Sequence, residues 1–139
     1  MKALITGITG FAGSHLAEFL LREQPEVEVF GIRRWRSRMD NIAHLEGKIG
    51  LIECDLKDYS SVHAALERSR PDYIFHLAAQ SFVPTSWKQP LLTGEYNAQG
   101  VTRVLEAIRQ VDTGIRVYQA SSSEMYGRVR EVPQTELTP

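Results

Sequence analysis

The chain has 139 residues, 42% hydrophobic and 24% charged, with a formal net charge of -1, which suits one domain with its own core and is too little for two. The near-neutral, evenly spread charge gives no reason to expect a nucleic-acid partner, and no apolar run approaches the roughly 18 residues of a bilayer-spanning helix, so no membrane partner is expected. A single cysteine, Cys54, excludes an internal disulfide, and with no charged leader or apolar signal core at the start the expectation is a soluble, cytoplasmic domain in which Cys54 is a buried, inert thiol.

The elements follow an alternating pattern. Lys2 to Ile5 is a short apolar run ahead of Thr6-Gly7-Ile8-Thr9-Gly10-Phe11-Ala12-Gly13. A helix then carries Ala12, Leu16, Phe19 and Leu20 at helical spacing on its inner face and ends before Pro25. Residues 27–32 (VEVFGI) read as a second strand, 33–47 as a polar, arginine-rich loop with at most a short helix, and 49–53 (IGLIE) as a third strand. Asp58 or Ser60 caps a helix that stops before Pro71. Residues 73–77 (YIFHL) are a fourth strand, 78–90 a loop, and the next helix turns Val101, Val104, Leu105 and Ile108 inward. A fifth strand at 115–120 (IRVYQA) runs into Ser121-Ser122-Ser123, and 128–139 shows nothing regular.

Repeated βα units with short links require a parallel sheet with right-handed crossover helices on both faces. The expected fold class is therefore α/β, a Rossmann-type doubly wound sheet in the order 3-2-1-4-5. Its crevice should lie at the carboxyl ends of strands one and four. A complete sheet of this type expects a further strand and helix, so the chain is read as part of a larger protein.

Gly7, Gly10 and Gly13 match the roles of a dinucleotide-binding turn: a tight bend, close backbone approach to a pyrophosphate, and close packing of helix on strand. The helix N-terminus offers its N–H groups to phosphates. The second strand runs into Arg33-Arg34 with no acid before Asp40. Arginine there suits a ribose 2'-phosphate and favours NADP over NAD; the alternative is that Arg33, Arg34, Arg36 and Arg38 form a solvated face or a subunit contact. Asp55 and Leu56 close the third strand near the expected adenine position, where Asp55 accepts from the base or simply forms a turn. Leu77, Ala78 and Ala79 let a cofactor lie against backbone, and Ser81 reaches a phosphate or sugar hydroxyl. His76 alternates with apolar residues and reads as a core histidine. Ser121, Ser122, Ser123 and Glu124 enter the same crevice, either as site residues, with the Glu124 pKa raised by Met125 and Tyr126, or as a serine-rich turn capping its own backbone. No metal site is expected.

At TGITGFAG (6–13), DL (55–56), HLAAQS (76–81) and SSSEMYG (121–127) the chain resembles the extended short-chain dehydrogenase/reductase superfamily. Within it, GSHLAEFLL, Arg33-Arg34, LAAQSFV, GVTRVLEAIR and above all YQASSSEMYGRVREVPQTELTP resemble the GDP-mannose 4,6-dehydratase family. The resemblance implies an NADP-retaining lyase that oxidises the sugar of GDP-mannose at C4, eliminates water across C5 and C6, and returns the hydride to C6. By position it implies Thr9, Gly10, Phe11, Ala12 and Gly13 against the cofactor, Ser122 at the O4 region, Ser123 assisting the C6 hydroxyl and Glu124 as the C5 base. Phe11-Ala12 stands where the family often has Gln-Asp, a pairing common in related epimerases and reductases. Leu92 replaces a cofactor-contacting Tyr, and no Tyr-x-x-x-Lys pair is present. In the family that pair follows shortly after the position of Pro139. The expectation is thus residues 1–139 as the NADP-binding part of a homo-oligomeric dehydratase, inactive without its substrate domain. A reductase, an epimerase or a non-catalytic NADP-binding protein are the alternatives.

Overall fold

The computed structural model describes residues 1–139 apart from the side chain of Ser123. Five parallel strands, β1 (Lys2–Thr6), β2 (Glu28–Arg33), β3 (Gly50–Glu53), β4 (Tyr73–His76) and β5 (Arg116–Gln119), form one sheet in the order β3-β2-β1-β4-β5. This is the order expected from the βα repeats, and the carboxyl ends of all five strands share one edge. Helix α1 (Phe11–Glu23) covers one face; α2 (Tyr59–Ser69) and α5 (Gly100–Val111) cover the other.

Strand alternation divides the core. Leu4, Ile32, Ile52 and Ile74 point with Val62, Leu66, Val104 and Ile108 into the layer under α2 and α5. Ala3, Ile5 and Val29 point with Ala17 and Leu20 into the layer under α1. Period-two side chains on strands buried on both faces produce the near-continuous apolar runs of β1 and β2. Asp58 caps α2, accepting from the N–H groups of Ser60 and Ser61, and Arg70, in the left-handed region at φ 44°, ends it ahead of Pro71.

Several expectations need correction. The buried side of α1 is Gly13, Ser14, Ala17 and Leu20, while Ala12 is exposed and Phe19 is 49% exposed. Close approach at Gly13 rotates the helix so that its smallest residues meet the sheet. Leu105 is likewise 50% exposed, and Ala107 takes its inward place. The expected loop at 78–90 contains α3 (Val83–Lys88), and Pro90 begins α4 (Pro90–Gly94). Neither helix buries a residue, so neither left an apolar period to read. A π-helical segment, Glu95–Gln99, joins α4 to α5. β5 is the edge strand that the expected order makes it, and all four of its residues are exposed. A 3-10 turn (Ser123–Tyr126) follows it.

Candidate functional site

A cleft of about 590 Å³ opens at the carboxyl ends of β1, β2 and β4. Its floor is the glycine turn. Gly7 sits at φ +73°, and a Cβ there would lie 3.0 Å from the Ala78 backbone; only glycine satisfies both the conformation and the approach. The Gly10 N–H donates to the Gly7 carbonyl (2.9 Å), closing the bend. A Cβ on Gly13 would meet the Gly7 carbonyl oxygen at 2.3 Å and the Ile8 Cα at 2.8 Å. The tight bend at Gly7 and the close packing at Gly13 thus have their geometric counterparts. Helix α1 starts without a side-chain cap and without an acid in its first turn, so its N–H groups and positive dipole end remain available to an anion.

One hydroxyl ties this turn to the next loop. Thr6 Oγ1 accepts from the backbone N–H groups of Leu77 and Ala78, both at 3.1 Å. It lies 3.0 Å from His76 Nδ1. His76 is 1% exposed, and burial alone pushes its pKa below the usual histidine value, in keeping with a neutral core histidine. Cys54, at the cleft wall, is 3% exposed, and burial raises its thiol pKa. It is buried and protonated, as expected.

The cleft gathers Gly7, Thr9, Gly10, Phe11, Ala12, Gly13, Arg33, Arg34, Leu56, Leu77, Ala78, Ala79 and Ser81. Asp55 does not line it. Its Oδ1 accepts from the Lys57 N–H (3.0 Å) and its Oδ2 from the Tyr96 hydroxyl (3.4 Å), which is the turn-forming reading of that residue. Sequence reasoning missed Tyr96, Gln80, Ser37 and Ile32 on the wall. Leu92, noted only as a departure, lines it too. Gln80 is held by Asn97, whose Oδ1 accepts from the Gln80 N–H (2.7 Å) and whose Nδ2 donates to the Gln80 carbonyl (2.9 Å).

Among the described residues, Ser121, Ser122 and Glu124 are not on the cleft wall, where they were expected as candidate site residues. The Ala120 N–H donates to the His76 carbonyl (3.1 Å), so β5 delivers this segment to the correct edge of the sheet. Beyond that point Ser122 Oγ turns back to accept from the Glu124 N–H (3.2 Å), and the Ser-rich stretch caps its own turn. Ser122 and Glu124 are exposed and Met125 is 69% exposed, so the apolar enclosure expected around Glu124 is absent among the described residues. The Ser123 side chain lies outside them.

The glycine cradle would be filled by any Cβ, the α1 N-terminus is open, and Gln80 Oε1 is a buried acceptor without a partner. The wall carries two guanidiniums and, among the described residues, no carboxylate. These features fit a polyanionic nucleotide. No helix is long and apolar enough to cross a membrane, and no group of three potential ligands could hold a metal ion, among the described residues.

Comparison with known proteins agrees with this geometry. The chain is 43% identical over 149 aligned residues to a GDP-mannose 4,6-dehydratase of Vibrio cholerae, covering 99% of this chain and 40% of that protein. It is 44% identical to a GDP-mannose 4,6 dehydratase of Drosophila melanogaster, covering 99% and 37%. Among solved structures, the UDP-glucose 4-epimerase of Thermus thermophilus in complex with NAD superposes with a TM-score of 0.82 at 32% identity, covering 99% of this chain and 43% of that one. The chain thus spans about 40% of the length of the curated relatives it matches. The model of the family described as GDP-mannose 4,6 dehydratase matches residues 4–139, and with the glycine turn, the paired arginines and the strand order in place, the chain belongs to the GDP-mannose 4,6-dehydratase family.

Proposed function

We propose that this chain is the cofactor-binding part of a GDP-mannose 4,6-dehydratase that holds NADP. The observation that carries the cofactor choice is the wall after β2: it presents Arg33 and Arg34, with no Asp or Glu among the described residues. A ribose hydroxyl pair calls for a carboxylate at this place and a 2'-phosphate for a guanidinium. Gly7, Gly10, Gly13 and the N-terminus of α1 would hold the pyrophosphate, and Leu77, Ala78, Ala79 and Ser81 would support the nicotinamide half. When bound, the nicotinamide supplies a hydride acceptor for C4 of the sugar and a hydride donor for C6.

The chain's own residues would move protons. Glu124, exposed at the carboxyl edge of the sheet, would remove the C5 proton, which a C4 ketone makes acidic enough for an ordinary carboxylate. Ser123 would assist the departing C6 hydroxyl and Ser122 would bind near O4, roles that the family resemblance supports. A tyrosine–lysine pair for the C4 proton is not present in this chain. A second reading, a nucleotide-sugar reductase or epimerase, is favoured only by Phe11-Ala12.

Incubating the complete gene product that carries this chain with GDP-mannose and NADP separates the readings. A 4-keto-6-deoxy sugar formed without net NADPH consumption supports the dehydratase. Failure to form any keto product sinks it.

A further inference from the structure

The π-helical segment Glu95–Gln99 sits where a helix reading from the sequence shows nothing unusual, yet three successive residues in it link, directly or through Arg103, to the loops after β2, β3 and β4. Glu95 pairs with Arg103, whose Nη1 donates to the Leu56 carbonyl (3.3 Å), tying the segment to the loop after β3. Asn97 brackets the Gln80 backbone in the loop after β4. Tyr96, between them, reaches the loop after β2. A π turn is wider than an α turn and is frequent at functional sites.

The polarity of the Tyr96 contacts is fixed by chemistry. A carboxylate can only accept and a guanidinium can only donate. The hydroxyl therefore gives its single proton to Asp55 Oδ2 (3.4 Å) and accepts from Arg34 Nη1 (3.4 Å). The Arg34 guanidinium also lies over the Tyr96 ring, 5.6 Å from its centroid, with Lys57 Nζ at 5.9 Å. Arg34 is exposed and Tyr96 half-buried against the core. Unaided, a long exposed arginine samples many rotamers; an aromatic face and a hydroxyl acceptor confine it.

We propose that Tyr96 is a specificity-positioning residue: anchored by Asp55, it holds the Arg34 guanidinium on the cleft wall for a ribose 2'-phosphate. The inference rests on the NADP reading above. It also gives Asp55 a part at this end of the cleft without a contact to the base, as the anchor for the tyrosine proton.

The test is the ratio of NAD to NADP dissociation constants, measured by calorimetry on the wild-type protein and on Tyr96→Phe, which keeps the ring and removes the hydroxyl. The ratio should fall by about three- to tenfold, the size of one net hydrogen bond, with NAD affinity nearly unchanged; 2',5'-ADP against 5'-AMP should give the same change. In an Arg34→Met background, Tyr96→Phe should not alter the ratio. A merely structural tyrosine would weaken both cofactors equally, so an unchanged ratio in Tyr96→Phe overturns the proposal. A wild-type protein without preference for NADP overturns the cofactor reading itself, and this proposal with it.

Discussion

Thr6 Oγ1 and His76 Nδ1 lie 3.0 Å apart at the last register pair of β1 and β4. Because the hydroxyl already accepts two backbone N–H groups, its own proton goes to Nδ1. The ring is therefore the Nε2–H tautomer, and Nε2 is buried without a partner. A proton on Nδ1 would displace the hydroxyl that fixes the Leu77 and Ala78 amides. The sign of the pH dependence follows. The folded-state pKa lies below the ordinary 6.5, so as pH falls the unfolded chain takes up this proton first. The contribution to stability is complete above about pH 6.5 and is lost as pH falls from there toward the folded value. Urea unfolding from pH 7.5 to 5 should show that loss, and His76→Asn, which keeps an acceptor without titrating, should flatten it. An identical slope in the variant contradicts the assignment.

Gly13, in the first turn of α1, and Gly94, at the end of α4, make a paired test. A Cβ at Gly13 meets backbone at 2.3 Å, whereas at Gly94 nothing lies within 4 Å. Gly13→Ala should destabilise by about 1–3 kcal/mol or more and abolish nucleotide binding, because the clash falls on the turn itself. Gly94→Ala, at the end of α4 with helical angles, should stabilise by about 0.5–1 kcal/mol. Thermal melts of the two variants decide it; equal effects would show that the close approach at Gly13 does not govern the turn.

The overall fold was legible because β1, β2 and the α1 turn carry their evidence locally. Apolar runs, the glycines at 7, 10 and 13, and the Asp58 cap each state their element without help from distant residues. Boundaries moved by a residue or so, as at β2 (28–33 against 27–32 expected). Helices α3 and α4 were not legible, since they bury nothing and carry no period. Tyr96 was missed for a related reason. On an α-helical wheel it is an ordinary inner residue, and its contacts with Asp55 and Arg34 join positions 41 and 62 residues away in the chain. Residue types at 122–124 name a chemistry but not a position, and the position follows from a local turn in which Ser122 Oγ accepts from the Glu124 N–H.

Arg33 is half-buried on the cleft wall and Arg34 exposed beside it, so reversing the inner charge gives the sharper effect. Arg33→Asp should weaken NADP binding by about ten- to hundredfold, the range for a hydrogen bond to a charged group. NAD binding should change far less. Equal losses for the two cofactors would place the 2'-phosphate elsewhere.

Glu124 stands outside the cleft wall, and its proposed role concerns the sugar alone. In the complete gene product, Glu124→Gln should leave the NADP dissociation constant unchanged and lower dehydration by about 10²- to 10⁴-fold, the usual contribution of a general base. Retained dehydratase activity would remove it from the mechanism.

The most direct measurement follows a hydrogen through the reaction. GDP-mannose deuterated at C4 is incubated with the complete gene product and a catalytic amount of NADP, and the product is examined by NMR. A dehydratase that retains its cofactor gives a 4-keto-6-deoxy sugar with deuterium at C6 and none at C4. Deuterium lost to solvent or retained at C4, or the absence of any keto sugar, would contradict it.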